Sequence, residues 1–450
     1  MPRKPAPAAA FDGAPFHPDD LVAAFDRFDR SQAGGRGRSD SADSGHLGWG
    51  EASFLDGYVK LYRATGDAAW LDQVVDHGER ILAHRADVFG DGHRTWVTAT
   101  YSEAWLETRP LHNRGTGRLE LRDDRVWATR GGAGVEDAEL VLEVLDGGRC
   151  RLRRSGSGQV LAEAPFRSGQ DLDLLPPFRL ALAGRHRPGD GYLIRAFAPR
   201  PLEYVVHQGQ FLYPMALFCE LALGQPDLRR YRPVARAWID AVAELARGHE
   251  RDWLDMGRGA GAYRFSVSPS QRYPNRILPH NQYLALARAF AVLAPRRRLF
   301  AARAAAMGQW FRRNLRRVGS AYEWHYWDWI EGGEPGHSAV EDTSHGHIDI
   351  AFAVEACRRG IVFRPADLRR FAATLLDRMW NGSLEEPQLA HRVDGTPGDA
   401  RAFRGWVDLA QWEPRVWDVL WALYERSQRP PMEAPTMLQG WLRRREGKAR

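Results

Sequence analysis

Four stretches of this 450-residue chain break its apolar pattern with side chains that can move protons or hold a sugar. The first is His46-Leu47-Gly48-Trp49-Gly50-Glu51. The second runs from Val206 to Tyr213 and carries His207, Gln208 and Gln210. The third runs from Tyr273 to Tyr283 and carries Arg276, His280, Asn281 and Gln282. The fourth and densest joins Tyr322-Glu323-Trp324-His325-Tyr326-Trp327-Asp328-Trp329 to Glu341-Asp342-Thr343-Ser344-His345-Gly346-His347-Ile348-Asp349. Three of these clusters fall at predicted helix starts, and the fourth includes the loop before one. Thr343 or Ser344 suits an N-cap, and Glu341 and Asp342 suit the positive end of the helix. His345 and Asp349, at i and i+4, share a face while His347 points elsewhere. Two such residues do not complete a coordination shell, so no metal or other cofactor is expected. The motif is read either as capping and packing or as a metal-free, substrate-contacting site. In the second case the helix start keeps His345 neutral and able to accept a proton. Trp324, Tyr326, Trp327 and Trp329 are either core or flat faces for stacking on sugar rings. Trp49, Trp96, Trp406 and Trp412 add to that supply, and a carbohydrate cleft uses them best. Asn281, Gln282, His280, His207 and Gln210 open otherwise apolar helices, so loop backbone or a ligand must satisfy them.

The elements that must position these groups are helical hairpins. Phe54, Tyr58, Leu61 and Tyr62 mark one helical face, which stops at Thr65-Gly66-Asp67 before a second helix to about residue 83. Further pairs are expected at about 207–223 with 231–246, 281–293 with 296–315, and 344–359 with a helix restarting after Pro365. A last long helix is expected over 409–426. Hairpins of this kind bury their apolar faces only by stacking on one another. Their irregular spacing and long aromatic loops point to a mainly α fold, an (α/α) toroid or barrel with a central cleft. From about 115 to 198 the period switches to two, and Asp146-Gly147 between two such runs marks a hairpin. This segment is expected to be an inserted β-sandwich-like subdomain shaping one rim of the cleft. The resulting division is a mobile segment over 1–45, with order beginning at His46. The toroid follows over 46–114 and 199–432, the insert over 115–198, and a basic C-terminal helix or tail over 433–450.

Composition narrows the partners. Hydrophobic residues make up 44% and charged residues 27%, and no apolar run reaches the roughly 18 residues of a membrane span. The net charge of +6 invites a nucleic-acid reading, but only Lys4, Lys60 and Lys448 are lysines and no recognition motif accompanies the arginines. Arg296 to Arg298 and Arg443 to Arg445 read as solvated helix ends. Neither nucleic acid nor membrane is expected as a partner. Cys150, Cys219 and Cys357 are odd in number and widely spaced, so no disulfide framework is expected. Met1 to Ala10 lacks a continuous apolar stretch, so no secretory signal is read and a cytoplasmic location is the default.

On its helical parts the chain resembles the α/α-toroid polysaccharide lyases that cleave uronic-acid polymers such as alginate and glucuronan. The alginate-lyase branch carries an Asn-His pair on one helix and Tyr-His-Asn on another. Val206-His207 and Pro279-His280-Asn281 resemble these, with His207 and Asn281 matching and Val206 and Pro279 replacing the Asn and the proton-donating Tyr. The resemblance implies a lyase whose tyrosine comes from another loop, with Tyr326 as the candidate.

β-Elimination removes the C5 proton of a uronate and expels the oxygen on C4. The neighbouring carboxylate must first be neutralised, a task for Asn281, Gln282, His207 and Arg276. Tyr326 then acts as base, acid or both, with His345 or His207 as helper. Trp49, Glu51, Gln210, Tyr213, His280, Trp324, Trp327 and Trp329 complete the expected contacts with an acidic polysaccharide or oligosaccharide. A glycoside hydrolase using paired carboxylates among Glu51, Asp328, Glu341 and Asp342 is the alternative, as is a uronyl or amino-sugar epimerase. On the lyase reading His207, Asn281, Tyr326 and His345 line one cleft, and Tyr326→Phe abolishes formation of the unsaturated product while leaving the melting curve unchanged.

Overall fold

A computed structural model describes residues 17–331, 334–398, 400 and 404–448. The reading of Met1 to Ala10 falls outside them. The chain divides into two compact units, a helical one from the described parts of 1–96, 204–264 and 276–450, and a β-rich one from 97–203 with 265–275. The fold is thus mainly helical with an inserted sheet region. Among the described residues no helix is long and apolar enough to cross a membrane.

The helical unit contains α1 (Pro18–Ser31), the single turn α2 (Ser44–His46), α3 (Ala52–Thr65), α4 (Ala69–Ala83), α5 (Val205–Gly224) and α6 (Arg232–His249). It continues with α7 (His280–Leu293), α8 (Arg298–Arg313), α9 (Thr343–Arg358), α10 (Pro365–Ala373), α11 (Arg415–Arg426) and α12 (Ala434–Lys448). A π-helical turn, Leu47–Glu51, leads into α3, and a 3-10 segment, Arg404–Gln411, precedes α11. Pro414 ends that segment's run into α11, which divides the single helix expected over 409–426. α5 and α7 are buried on nearly every side, as their continuous apolar sequences require, whereas α4 and α6 are amphipathic. The order of neighbours follows: α3 packs on α5, α5 on α7, α7 on α9, α9 on the 3-10 segment, that segment on α12, and α12 on α3. Each also has a further partner: α4 on α3, α6 on α5, α8 on α7, α10 on α9, α11 on the 3-10 segment and α1 on α12.

The expected mobile N-terminal segment needs correction. Within the segment expected to be mobile, α1 buries Leu21 and Phe25, and Phe25 meets Phe54, Tyr58 and Trp70 edge-on or tilted. At the other end, of the helix or tail expected over 433–450, the structure has the helix, α12, and it buries Ala434, Met437 and Leu438. Its arginines are engaged too, Arg443 with Glu446 and Arg444 with Asp418.

The β unit begins earlier than its period-two signal suggested, because β1 (Glu103–His112) lies before residue 115. It is followed by β2 (Arg118–Asp123), β3 (Arg125–Trp127), β4 (Ala138–Leu145), β5 (Arg149–Arg154), β6 (Val160–Pro165), β7 (Asp171–Leu172), β8 (Arg179–Ala183) and β9 (Gly191–Phe197). The expected hairpin at Asp146-Gly147 joins β4 to β5, with Leu145 opposite Arg149. One antiparallel sheet runs β3-β1-β9-β4-β5-β6 and another β2-β8-β7. Leu106, Leu142, Leu152 and Ile194 of the first share a core with Leu180 and Leu182 of the second.

A buried ion pair holds the loop after α1 to the α3–α4 hairpin. His77 Nδ1 lies 2.5 Å from Glu51 Oε1, and its Nε2 lies 2.9 Å from the Gly35 carbonyl. Both partners are acceptors, so both ring nitrogens carry protons. Burial alone would lower the pKa of His77, but the Glu51 carboxylate and the Gly35 carbonyl raise it above the ordinary value. A raised folded-state pKa stabilises fully below the unfolded value and loses that contribution as pH rises through the folded one. His77→Asn should therefore cost about 3–5 kcal/mol near pH 6, with the deficit shrinking as pH rises. Chemical denaturation of both proteins across that range checks this, and a deficit independent of pH would show His77 to be neutral.

Candidate functional site

The start of α9 carries a cluster of acids. Asp342, rather than Thr343 or Ser344, is its N-cap, accepting from the Ser344 and His345 backbone N–H groups at 2.8 and 2.9 Å. Its other oxygen receives His345 Nδ1 at 2.6 Å. Burial would raise the Asp342 carboxyl, but the imidazole and the two backbone donors hold it below its ordinary value. Glu341 and Asp349 are fully buried beside each other, and Glu341 Oε2 and Asp349 Oδ1 meet no donor, so the two carboxyls can sit together only if a proton is held between them. Burial and the neighbouring carboxylates Asp349 and Asp342 push Glu341 well up, and burial pushes Asp349 up to about 6. Asp349 also accepts from Trp324 Nε1 at 2.9 Å. Atoms of Glu341, Asp342 and His345 lie within 4.8 Å of one another. Hydrogen bonds within the cluster occupy them as a cap and a proton-sharing pair, so we do not read them as metal ligands.

Tyr326 borders this cluster. Its ring centroid lies 5.0 Å from that of His345, and Gln282 hydrogen-bonds its hydroxyl. The structure thus brings Tyr326, His345 and Gln282 together. Burial and then Glu341 raise the pKa of this phenol, with Asp342 and Asp349 adding to the effect. A tyrosine base needs cations, and here it has acids. Tyr326 therefore stays protonated and is suited to act as an acid, not as a base.

A second site, rich in charged groups, lies in a cavity of about 290 Å³. Trp49, Gln210 and Tyr213 line it, together with residues not singled out from the sequence: the cations Lys60, Arg288 and Arg404, the carboxylates Asp56, Asp408 and Glu433, and His347. Close contact of α5 and α7 sets this geometry, since a Cβ at Gly209 would lie 2.2 Å from the Leu286 nitrogen. That approach seats Gln210 and Tyr213 against Arg288. Arg288 Nη2 donates to Gln210 Oε1 at 2.5 Å, and its guanidinium lies 4.5 Å from the Tyr213 ring centre. It is only 6% exposed and makes no ion pair among the described residues. Its pKa is lowered by burial. The other basic groups are paired: Lys60 with Asp56 at 2.6 Å, and Arg404 with Glu433 at 2.6 Å. Burial, then Arg288 and Arg404, hold His347 well below its ordinary pKa. Burial likewise raises Tyr213, which stays protonated. A neutral imidazole and a neutral phenol thus share one cavity with a guanidinium that has no direct ion pair, the carboxylates Asp56 and Asp408 acting on it at longer range.

Several expected contacts are structural instead. Glu51 is consumed by His77 and by the Arg38 backbone N–H. Trp324 and Trp327 are core residues, Trp324 packing on Phe371 and Trp327 donating to the Ile277 carbonyl at 2.7 Å. Buried His280 donates from Nε2 to Asp328 at 2.8 Å and accepts the Tyr283 hydroxyl at Nδ1. Half-buried Trp329 faces Arg276, 5.9 Å away. His207 is held down to about 3 by burial and meets Ser44 at 3.0 Å and the Trp49 ring at 5.5 Å. Asn281 is buried, and its side-chain oxygen receives no hydrogen bond. Of the four residues expected in one cleft, Tyr326 and His345 are neighbours, while His207 and Asn281 are absent from the lining of the Arg288 cavity.

The Glu341–Asp349 pair carries a pH signature. Its raised folded-state values mean that native protein holds protons the unfolded chain would release, so stability falls as pH rises through them. Glu341→Gln supplies an N–H donor to Asp349 without a proton. It should flatten the loss of melting temperature above about pH 6 and exceed wild type at pH 8. Parallel slopes for the two proteins would rule out a shared proton.

No protein-family model and no curated protein matches the chain. Among solved structures, FlgL of Xanthomonas campestris is 13% identical, covering 52% of this chain and 94% of its own, at a TM-score of 0.17. The flagellar junction protein FlgL of Legionella pneumophila is 11% identical, covering 51% of this chain and 85% of its own, also at 0.17. Likeness at that score carries no argument about fold or function.

Proposed function

We propose that the helical unit is an α/α toroid and that its Arg288 cavity performs metal-independent β-elimination on a uronic-acid-containing saccharide, glucuronan and alginate being the first substrates to test. The order of neighbouring helices, α3, α5, α7, α9, 404–411, α12 and back to α3, supports the toroid, each with a partner on its other side. The resemblance to the toroid polysaccharide lyases agrees with that arrangement. The observation that carries the reaction is Arg288, a buried guanidinium with an amide and a ring as its nearest partners. A uronate carboxylate supplies the direct ion pair it lacks, and that pairing acidifies the C5 proton. Neutral His347 takes that proton, the C5–H electrons form the C4=C5 double bond, and the C4–O bond breaks. The Tyr213 hydroxyl protonates the departing oxygen, and the imidazolium returns its proton through solvent to the tyrosinate. Trp49, 44% exposed beside the cavity, offers a face for the adjoining sugar.

Hydrolysis by the acid cluster is disfavoured by its geometry. Glycosidase carboxyls stand at least about 5 Å apart to leave room for sugar or water, whereas Glu341 and Asp349 touch.

Ultraviolet absorbance of the unsaturated product, measured on glucuronan, alginate and related polymers, tests the reading. Tyr213→Phe and His347→Gln should each lower the rate by about 10²–10⁴-fold with unchanged melting curves, and Arg288→Met should do at least as much. Tyr326→Phe should keep most activity, in contrast to its role in the sequence reading. Loss of activity in Tyr326→Phe with a fully active Tyr213→Phe would move the chemistry to the start of α9. Reducing ends without the absorbance would replace the lyase by a hydrolase, and solvent deuterium at C5 without cleavage would replace it by an epimerase.

A further inference from the structure

A second cavity, of about 500 Å³, is lined by Leu223 at the end of α5, by Arg232, Arg236, Ile239 and Asp240 of α6, and by Arg296 and Arg297 after α7. Arg297 is spoken for, lying 2.5 Å from Asp240. Arg232, Arg236 and Arg296 make no side-chain hydrogen bond or ion pair among the described residues. Arg232 is the most unusual of them, because its Nε is shut off from water and meets no acceptor. Other arginines here with a buried, unmet Nε, such as Arg85 and Arg378, pair through their terminal nitrogens with Glu244 and Glu323. Arg232 has no such compensation. Dipole complementarity does not explain its place either: it opens α6, whose first turn contains no acid, and a cation there is opposed by the positive helix end. Arg236 and Arg296 are exposed, but with the buried, unmet Nε of Arg232 they place three unpaired guanidiniums around one cavity, an arrangement that an anion would complete. Their planar donor forks match the paired oxygens of carboxylate, phosphate or sulfate.

We propose that this cavity is a binding site for the oxyanion groups of a small polyanion, separate from the central cavity and independent of the function read there. Two sources share this chemistry, an inorganic or nucleotide-type phosphate and the carboxylates of an acidic oligosaccharide. Isothermal titration of the full chain at low salt, with inorganic pyrophosphate and with an oligoglucuronate, separates them. The oligosaccharide arm uses Arg288→Met protein so that the central cavity does not contribute. At least one probe should bind, with affinity falling as ionic strength rises. The triple variant Arg232→Gln, Arg236→Gln, Arg296→Gln should bind it at least ~10-fold more weakly with an unchanged melting curve. Arg109→Gln, an exposed arginine of the β unit, should match its parent. Pyrophosphate binding alone assigns the site to phosphates, and oligoglucuronate binding assigns it to acidic saccharides. Failure of both probes to bind, or equal binding by the triple variant, overturns the proposal.

Discussion

Arg288 is the constraint around which the helical unit is arranged. Bringing a guanidinium into the interior costs several kcal/mol unless the protein compensates it. Compensation comes at close range from Gln210 and the Tyr213 ring, and at longer range from Asp56, Glu355 and Asp408. Those partners sit on different helices, so all must approach the same point. The glycine at 209 permits the approach of α5 to α7. Behind the cavity a further layer of ion pairs, Arg358 with Glu355 and Asp408, and Arg359 with Glu355 and Glu220, fixes the distant carboxylates.

One helix separates two electrostatic regimes. His345 and Asp349 lie on one face of α9 and meet acids, while His347 and Ala351 lie on another and line the Arg288 cavity. A rotation of about 200° between residues i and i+2 of a helix produces that split. The acid side keeps protons that carboxyls ordinarily lose, and the cavity side keeps off the proton that imidazole ordinarily gains. Both follow from burial without a matching counter-charge.

This division explains what the sequence could and could not disclose. Hairpins were legible because Gly66 and the Gly224–Asp227 break interrupt strong helical periodicity, and the Asp146-Gly147 turn was legible because flanking strands alternate. His347 was seen to face away from its neighbours, but nothing local said what it faced. Lys60, Arg288 and Asp408 escaped because each is a single charge in an apolar run, indistinguishable by type from an arginine that reaches solvent. A signal existed: Arg288 interrupts Tyr283 to Leu293 at its middle, and Lys60 is one of three lysines in an arginine-dominated chain. Helix α1 was missed because flanking Pro, Gly and Asp masked Leu21, Phe25 and Phe28, spaced i, i+4, i+7. The β unit's first strand was missed because its outer half, Glu107 to His112, is largely exposed and shows no alternation.

The cavity's charge balance also bears on which anion it would accept. Lys60 and Arg404 already hold carboxylates, and Asp408 is held by Gln439 at 2.6 Å and by Arg358 at 3.5 Å. A ligand bearing one negative charge therefore meets one cation, Arg288, that has no direct ion pair. A doubly charged group would have to displace a buried ion pair, and breaking such a pair costs about 3–5 kcal/mol. A carboxylate fits this balance better than a phosphate or sulfate dianion. Once it is seated, its negative charge offsets the Arg288 field that disfavours protonation of His347. The imidazole then becomes a stronger base with the substrate in place than in its absence.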